Sequence, residues 1–254
     1  MRLHRLPSSR VPTPRGSFAL VAATCATVVL AGLGGLRGGG TAAAEEPAAK
    51  LPWDGFGVGS SVHMRTTTTM SVAGVPPQTS ESRQTLVKIT DEAFTIKMET
   101  KVGEEWMATE MPWPRKATGV APVAETPKPE ELGDEDVTVD GKAYPCKKLR
   151  IVAQGTTVTS WVHATEGALK VETKGAGFEA SMAVTKLAMK TKVADKELEV
   201  RESVSVSKAA GNETKVTSWT SAAVPGGSAR SETVTEMPGM KTTTVAEVIA
   251  FEVK

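Results

Sequence analysis

Val158-Thr159-Ser160-Trp161 returns 58 residues later as Val216-Thr217-Ser218-Trp219. The sequence around the two copies is also shared. Each follows an alternating run and a Gly turn (Gln154-Gly155; Gly211-Asn212). Each is followed by a second turn (Glu166-Gly167; Val224-Pro225-Gly226-Gly227), then a Glu-Thr pair (Glu172-Thr173; Glu232-Thr233) and another alternating run. A side-chain period of two belongs to a strand with one face turned inward. The echo therefore predicts a duplicated β-unit. Trp161 and Glu172 are 11 residues apart and Trp219 and Glu232 are 13 apart, so the later copy has the longer turn.

The same pattern extends outward from the two copies. Residues 57–110 read as a first unit: Val62 and Met64, then Val87 and Ile89, then Phe94, Ile96 and Met98 alternate with polar neighbours, and a short strand lies near Trp106-Met107. Ser60-Ser61-Val62-His63 resembles Ser160-Trp161-Val162-His163, with Ser61 in the place of the Trp. Residues 111–136 read as a connector. Pro112, Pro114, Pro122, Pro127 and Pro129 each lack an N–H donor, and an acidic run (Glu130-Glu131, Asp134-Glu135-Asp136) follows. Residues 137–192 and 193–254 are the second and third units. Asp140-Gly141 predicts a tight hairpin turn. Ala183–Asp195 is rich in Ala, Lys and Met but aligns with the terminal strand of the third unit, so it too reads as strand. The fold expected is all-β, an antiparallel meander of about 10–13 strands in two or three similar units, forming a curved sheet or a partly open barrel or sandwich.

The first 44 residues read as an export signal: Arg2, Arg5, Arg10 and Arg15, an uncharged stretch from Phe18 to Leu36, then Ala42-Ala43-Ala44 before Glu45. The alternative is an N-terminal membrane anchor, if residues 18–36 are not cleaved. Residues 45–56 read as a flexible lead, with order starting near Trp53-Asp54-Gly55-Phe56. After cleavage 25 basic residues face 29 acidic ones, a net charge of −4. That balance speaks against nucleic acid as a partner and against strong adhesion to anionic lipid, and no transmembrane span is expected once the signal is gone. Cys25 leaves with the signal, so Cys146 has no partner for an internal disulfide.

The repeated Gly turns, the Trp strands and the Val224–Gly227 turn resemble a class of exported β-rich repeat proteins of high-GC bacteria. The resemblance spans residues 57–254 and rests on Gly141 to Cys146, Trp161, Trp219 and Val224 to Gly227. It implies an envelope or secreted location and carries no activity with it. In fold the chain is also similar to curved-sheet lipoprotein carriers, although no residue motif requires this.

Candidate chemistry is sparse. Trp161 and Trp219 either plug the core of each unit or line a ligand groove, since indole joins a large apolar face to one donor. His63 and His163 occupy matching places, and Cys146 would make a third ligand for Zn²⁺ if the three converged. Cys146 beside Lys147 and Lys148 is a candidate thiol nucleophile only if the cations lower its pKa. The acidic run does not match the spacing of a Ca²⁺ loop. No G-x-S-x-G or H-E-x-x-H occurs. Asn212-Glu213-Thr214 fits a glycosylation sequon. The function expected is an exported, non-enzymatic binding or structural module of the envelope, without catalytic residues, cofactor or metal. The alternatives are a carrier of a lipid or other apolar ligand on a curved sheet, and an enzyme with a thiol or metal site. The partner is an apolar small molecule or an envelope protein.

Overall fold

The computed structural model describes residues 51–115 and 127–254. The readings placed on residues 1–50, on Cys25 and on residues 116–126 lie outside these.

The described chain is all-β, with 13 antiparallel strands in one sheet. They are β1 (Ser61–Met70), β2 (Gln78–Ile89), β3 (Ala93–Val102), β4 (Glu105–Pro114), β5 (Glu130–Val139), β6 (Lys142–Ala153), β7 (Thr156–His163), β8 (Gly167–Gly175), β9 (Phe178–Val193), β10 (Lys196–Ala209), β11 (Asn212–Thr220), β12 (Ser228–Met237) and β13 (Met240–Glu252). The sheet order is β4-β3-β2-β1-β13-β12-β11-β10-β9-β8-β7-β6-β5. Every sequential pair except β4 and β5 is a hairpin, and the first strand joins the last. This is the strand order of a barrel left open at one seam. The third unit stands between the first and the second.

Local sequence explains the hairpins. Asp140-Gly141 and Gln154-Gly155 both hold positive φ at two successive residues (50° and 77°; 49° and 75°), the backbone that matches strand twist in a two-residue turn. Ala194, at φ 55°, makes the β9–β10 turn without glycine. Ala183–Val193 is strand, as its alignment predicts.

The sheet is strongly curled. In a flat sheet β5 would lie about 14–19 Å from β8 and β9, at roughly 4.8 Å per strand, yet it touches both. Curling gathers the apolar side chains into two clusters. Trp53, Val62, Leu86, Phe94, Ile96, Val193, Val200, Val224, Ala229 and Val248 form the larger. Val137, Val139, Cys146, Trp161, Leu169 and Val184 form the smaller. The long strand β9 belongs to both, Val184 in one and Val193 in the other, and its register against β10 shifts between these positions.

Two stretches differ from the sequence reading. Pro112 and Pro114 do not end the ladder; they lie within β4. They are tolerated because β4 is an edge, where an imino nitrogen facing outward forfeits no bond. Glu130–Asp136, read as connector, forms most of the opposite edge strand, β5, with a register shift beside Gly133 at φ 99°. Trp53, near which order is expected to start, is 1% exposed. It packs on the Val224–Gly227 turn, where Gly226 donates its N–H to Pro52 O at 3.1 Å and a Cβ on Gly226 would stand 3.4 Å from the indole. The glycine permits that close approach.

Candidate functional site

The two Val-Thr-Ser-Trp phrases fall on β7 and β11, and the structure repeats their surroundings. Trp161 stands opposite Lys170 and Trp219 opposite Arg230. In each case the register shifts immediately after the Trp, and the residue next to the cation, Leu169 or Ala229, is buried. In each case the cation pairs with a Glu two residues on: Lys170–Glu172 at 2.8 Å and Arg230–Glu232 at 3.4 Å. The cation also lies over the indole, at 4.2 Å for Lys170 and 5.2 Å for Arg230. Shared sequence thus produces a shared motif of Trp, facing cation and bulge. The first unit lacks it, since Ser61 faces Thr85 and Glu252.

The other neighbour separates the copies. Across the β6–β7 ladder Trp161 meets Lys148, which lies 4.9 Å from its ring centroid. Trp161 is 3% exposed and its indole N–H has no partner in hydrogen-bond geometry. That N–H faces the Glu135 carboxyl. The Lys148 ammonium, 2.7 Å away, is the main reason this carboxyl is held below its ordinary range, and the indole adds to the effect. Across the β10–β11 ladder Trp219 instead meets Glu202, whose carboxylate accepts the indole N–H at 2.9 Å and the Thr185 hydroxyl at 2.6 Å. Trp161 is a core plug. Trp219 is half-buried, with one side packed on the larger cluster.

Trp219 also lines a cleft of about 870 Å³. Val193, Ala229, Val248 and Ile249 supply apolar wall, while Arg230, Glu232 and Glu247 from β12 and β13, with Lys192 and Asp195 at the β9–β10 turn, supply charge. This volume lies in the range of small-molecule sites, about 300–1,000 Å³. Trp219 also belongs to a row of cross-strand partners running Lys186, Glu202, Trp219, Arg230, Glu247, Arg65 and Glu81 across β9, β10, β11, β12, β13, β1 and β2. Charges alternate along it, and opposite charges directly across a ladder contribute about 0.2–1 kcal/mol each. At its far end water loss pushes the Glu81 carboxyl up, but Arg65 at 3.4 Å and His63 at 3.2 Å outweigh this and hold it below its ordinary 4.5. Trp219 is the apolar member of an otherwise charged row, and three of its members, Trp219, Arg230 and Glu247, line the cleft.

The remaining candidates do not assemble. His63, on β1, bonds Glu81 and packs edge-on against Trp106 at 5.7 Å. His163, on β7, is directly opposite Cys146 but turns its Nδ1 to accept the Glu166 and Thr165 N–H groups at 3.3 and 3.4 Å, closing the β7–β8 turn. Cys146 is 1% exposed, and burial pushes its thiol up, the opposite of what nucleophilic activation needs. Among the described residues no group of three or more His, Cys, Asp or Glu is placed to hold a metal ion. Also among them, no helix is long and apolar enough to cross a membrane. Arg201 was not singled out by its sequence. It donates to Glu166 O at 2.9 Å and Ala168 O at 3.0 Å, tying the β7–β8 turn to β10.

No family profile matches the chain and no curated protein matches it. Three solved structures overlap it loosely. A domain described as an outer membrane lipoprotein-sorting protein, from Vibrio parahaemolyticus, aligns with TM-score 0.30 and 11% identity over 80% of this chain and 88% of that one. MucB in complex with MucA(peri) aligns with TM-score 0.19 and 11% identity over 74% and 88%. The Pseudomonas aeruginosa MucA/MucB complex gives 0.20 and 10% over 76% and 94%.

Proposed function

We propose that this protein is an exported, non-enzymatic binding module that holds an elongated apolar ligand with a polar head in the cleft beside Trp219. One observation carries the reading: of two Trp residues in the same repeated motif, one seals a core and the other lines a cleft. A duplicated strand needs a plug in both copies if the motif is purely structural. The second copy instead leaves its ring half-buried at the cleft, with its N–H held by Glu202. Fixing the ring before binding lowers the ordering cost that a ligand would otherwise meet. Val248 and Ile249 suit an aliphatic chain, and Arg230 with Glu232 and Glu247 suits a polar head rather than a second apolar end. The carrier reading and the binding-module reading converge on this cleft.

The test is native mass spectrometry of protein unfolded, stripped of bound molecules, refolded and offered an alkyl series with sulfate, phosphocholine or trimethylammonium heads. Retention of one alkyl molecule per chain is expected, with at least a tenfold loss of affinity in Trp219→Ala, since removing a large apolar contact costs about 1.5–3 kcal/mol. Retention of none of the series, or retention that Trp219→Ala leaves unchanged, counts against the cleft.

A further inference from the structure

The two edges of the open sheet are guarded differently, and the difference leaves one of them able to pair. β5 carries Glu130, Glu131, Asp134, Glu135 and Asp136 and is bulged at Gly133. Charge and bulges are the usual defences of an edge. β4 carries no Lys or Arg; its guards are Pro112, Pro114 and two separated carboxylates, Glu105 and Glu110. The direction of its backbone follows from neighbouring bonds. Arg115, just past the strand, donates its N–H to Glu92 O at 2.7 Å, so odd-numbered residues of β4 bond toward β3. Even-numbered residues then point N–H and C=O out of the sheet. The prolines block this outer row only at positions 112 and 114. Trp106, Ala108 and Glu110 leave it unblocked. Beside them Met107 is 64% and Met111 46% exposed.

We propose that the Glu105–Met111 half of β4 pairs antiparallel with the same segment of a second copy of this chain, about a two-fold axis at Ala108. In that register Ala108 faces its own equivalent, Trp106 faces Glu110 and Met107 faces Thr109. Each outward-pointing residue exchanges both backbone bonds, and each proline falls outside the ladder. On that face Met107 of each copy is the diagonal neighbour of Met107 and Met111 of the other. No carboxylate stands opposite another, since Glu105 meets Met111. Pairing β5 with β5 sets acids against acids, and pairing β5 with β4 sets its acids against Glu105 and Glu110. Both are disfavoured by the same rule. A two-fold contact is also closed, so it ends at two chains.

Sedimentation equilibrium of the full chain with Cys25→Ser is expected to show a species of twice the chain mass at tens of micromolar. Ala108→Pro removes an outward N–H and no bond to β3, so it is expected to keep the β circular dichroism spectrum and abolish that species. In Ala108→Cys, opposed Cα atoms about 5.5 Å apart suit a disulfide, and oxidation is expected to lock two chains together while Cys146 stays buried. A single-chain mass at every concentration with no Ala108→Cys crosslink would overturn the proposal. So would a two-chain species that Ala108→Pro leaves intact.

Discussion

The indole N–H of Trp219 donates to the Glu202 carboxylate directly across the β10–β11 ladder, at 2.9 Å. The same carboxylate takes the Thr185 hydroxyl from the β9 side at 2.6 Å. One side chain thus fixes the plane of the ring at the cleft and links three strands.

Glu202→Ala leaves a half-buried indole N–H without its acceptor and the Thr185 hydroxyl with only the main-chain O of position 202, at 3.3 Å. The expected loss is about 1–3 kcal/mol, the cost of orphaning polar groups. Urea unfolding should show a lower midpoint with unchanged slope. Glu202→Gln keeps one carbonyl acceptor and should lose less.

Arg201 holds two backbone carbonyls of the β7–β8 turn from β10, and partial loss of water lowers its pKa. Arg201→Met keeps most of the stem and removes both donors. A loss of about 1.5–3 kcal/mol is expected for bonds made by a charged group. Hydrogen exchange should place the increased opening at residues 164–169.

Cys146 should behave as a core residue. Burial pushes its thiol up, against a smaller opposing contribution from the Val137 backbone. In a Cys25→Ser chain an aromatic disulfide reagent at pH 8 should leave Cys146 unreacted while the protein is native and label it fully in denaturant. Rapid labelling of the native protein would contradict the buried placement.

Acid should weaken the fold through Glu81 and Glu135, whose carboxyls are both held below their ordinary 4.5. A depressed folded pKa adds stability that is present above the unfolded value and is lost as pH falls through the folded one. Stability is therefore expected to decline below about pH 4.5 as these carboxylates take up protons. Glu81→Gln combined with Glu135→Gln should flatten that decline, as followed by thermal melting from pH 7 to pH 3.

The strands were legible because Val, Met and Ile alternate with Thr, Lys and Glu, and because Asp140-Gly141 and Gln154-Gly155 leave only one hairpin geometry. Pairing of the first strand with the last was not, since Arg65 opposite Glu247 is a contact across 182 residues that no local period encodes. Pro112 and Pro114 misled because a proline is forbidden in a central strand and permitted on an edge, and edge position is a property of the whole sheet. The repeat announced Trp161 and Trp219 as equivalents. Their different fates turn on Lys148 and Glu202, which lie on the preceding strands, outside the repeated phrase. Arg201 carried no signal because its partners are main-chain carbonyls.

Fluorine NMR of protein carrying 5-fluorotryptophan reads the two rings separately, each signal assigned by a Trp→Phe variant. On adding an alkyl ligand that the refolded protein retains, the Trp219 signal is expected to move saturably while the Trp161 signal stays in place. Equal movement of both signals, or movement confined to Trp106 and Trp113 at the sheet edge, would contradict the assignment of one repeated Trp to the core and the other to the ligand.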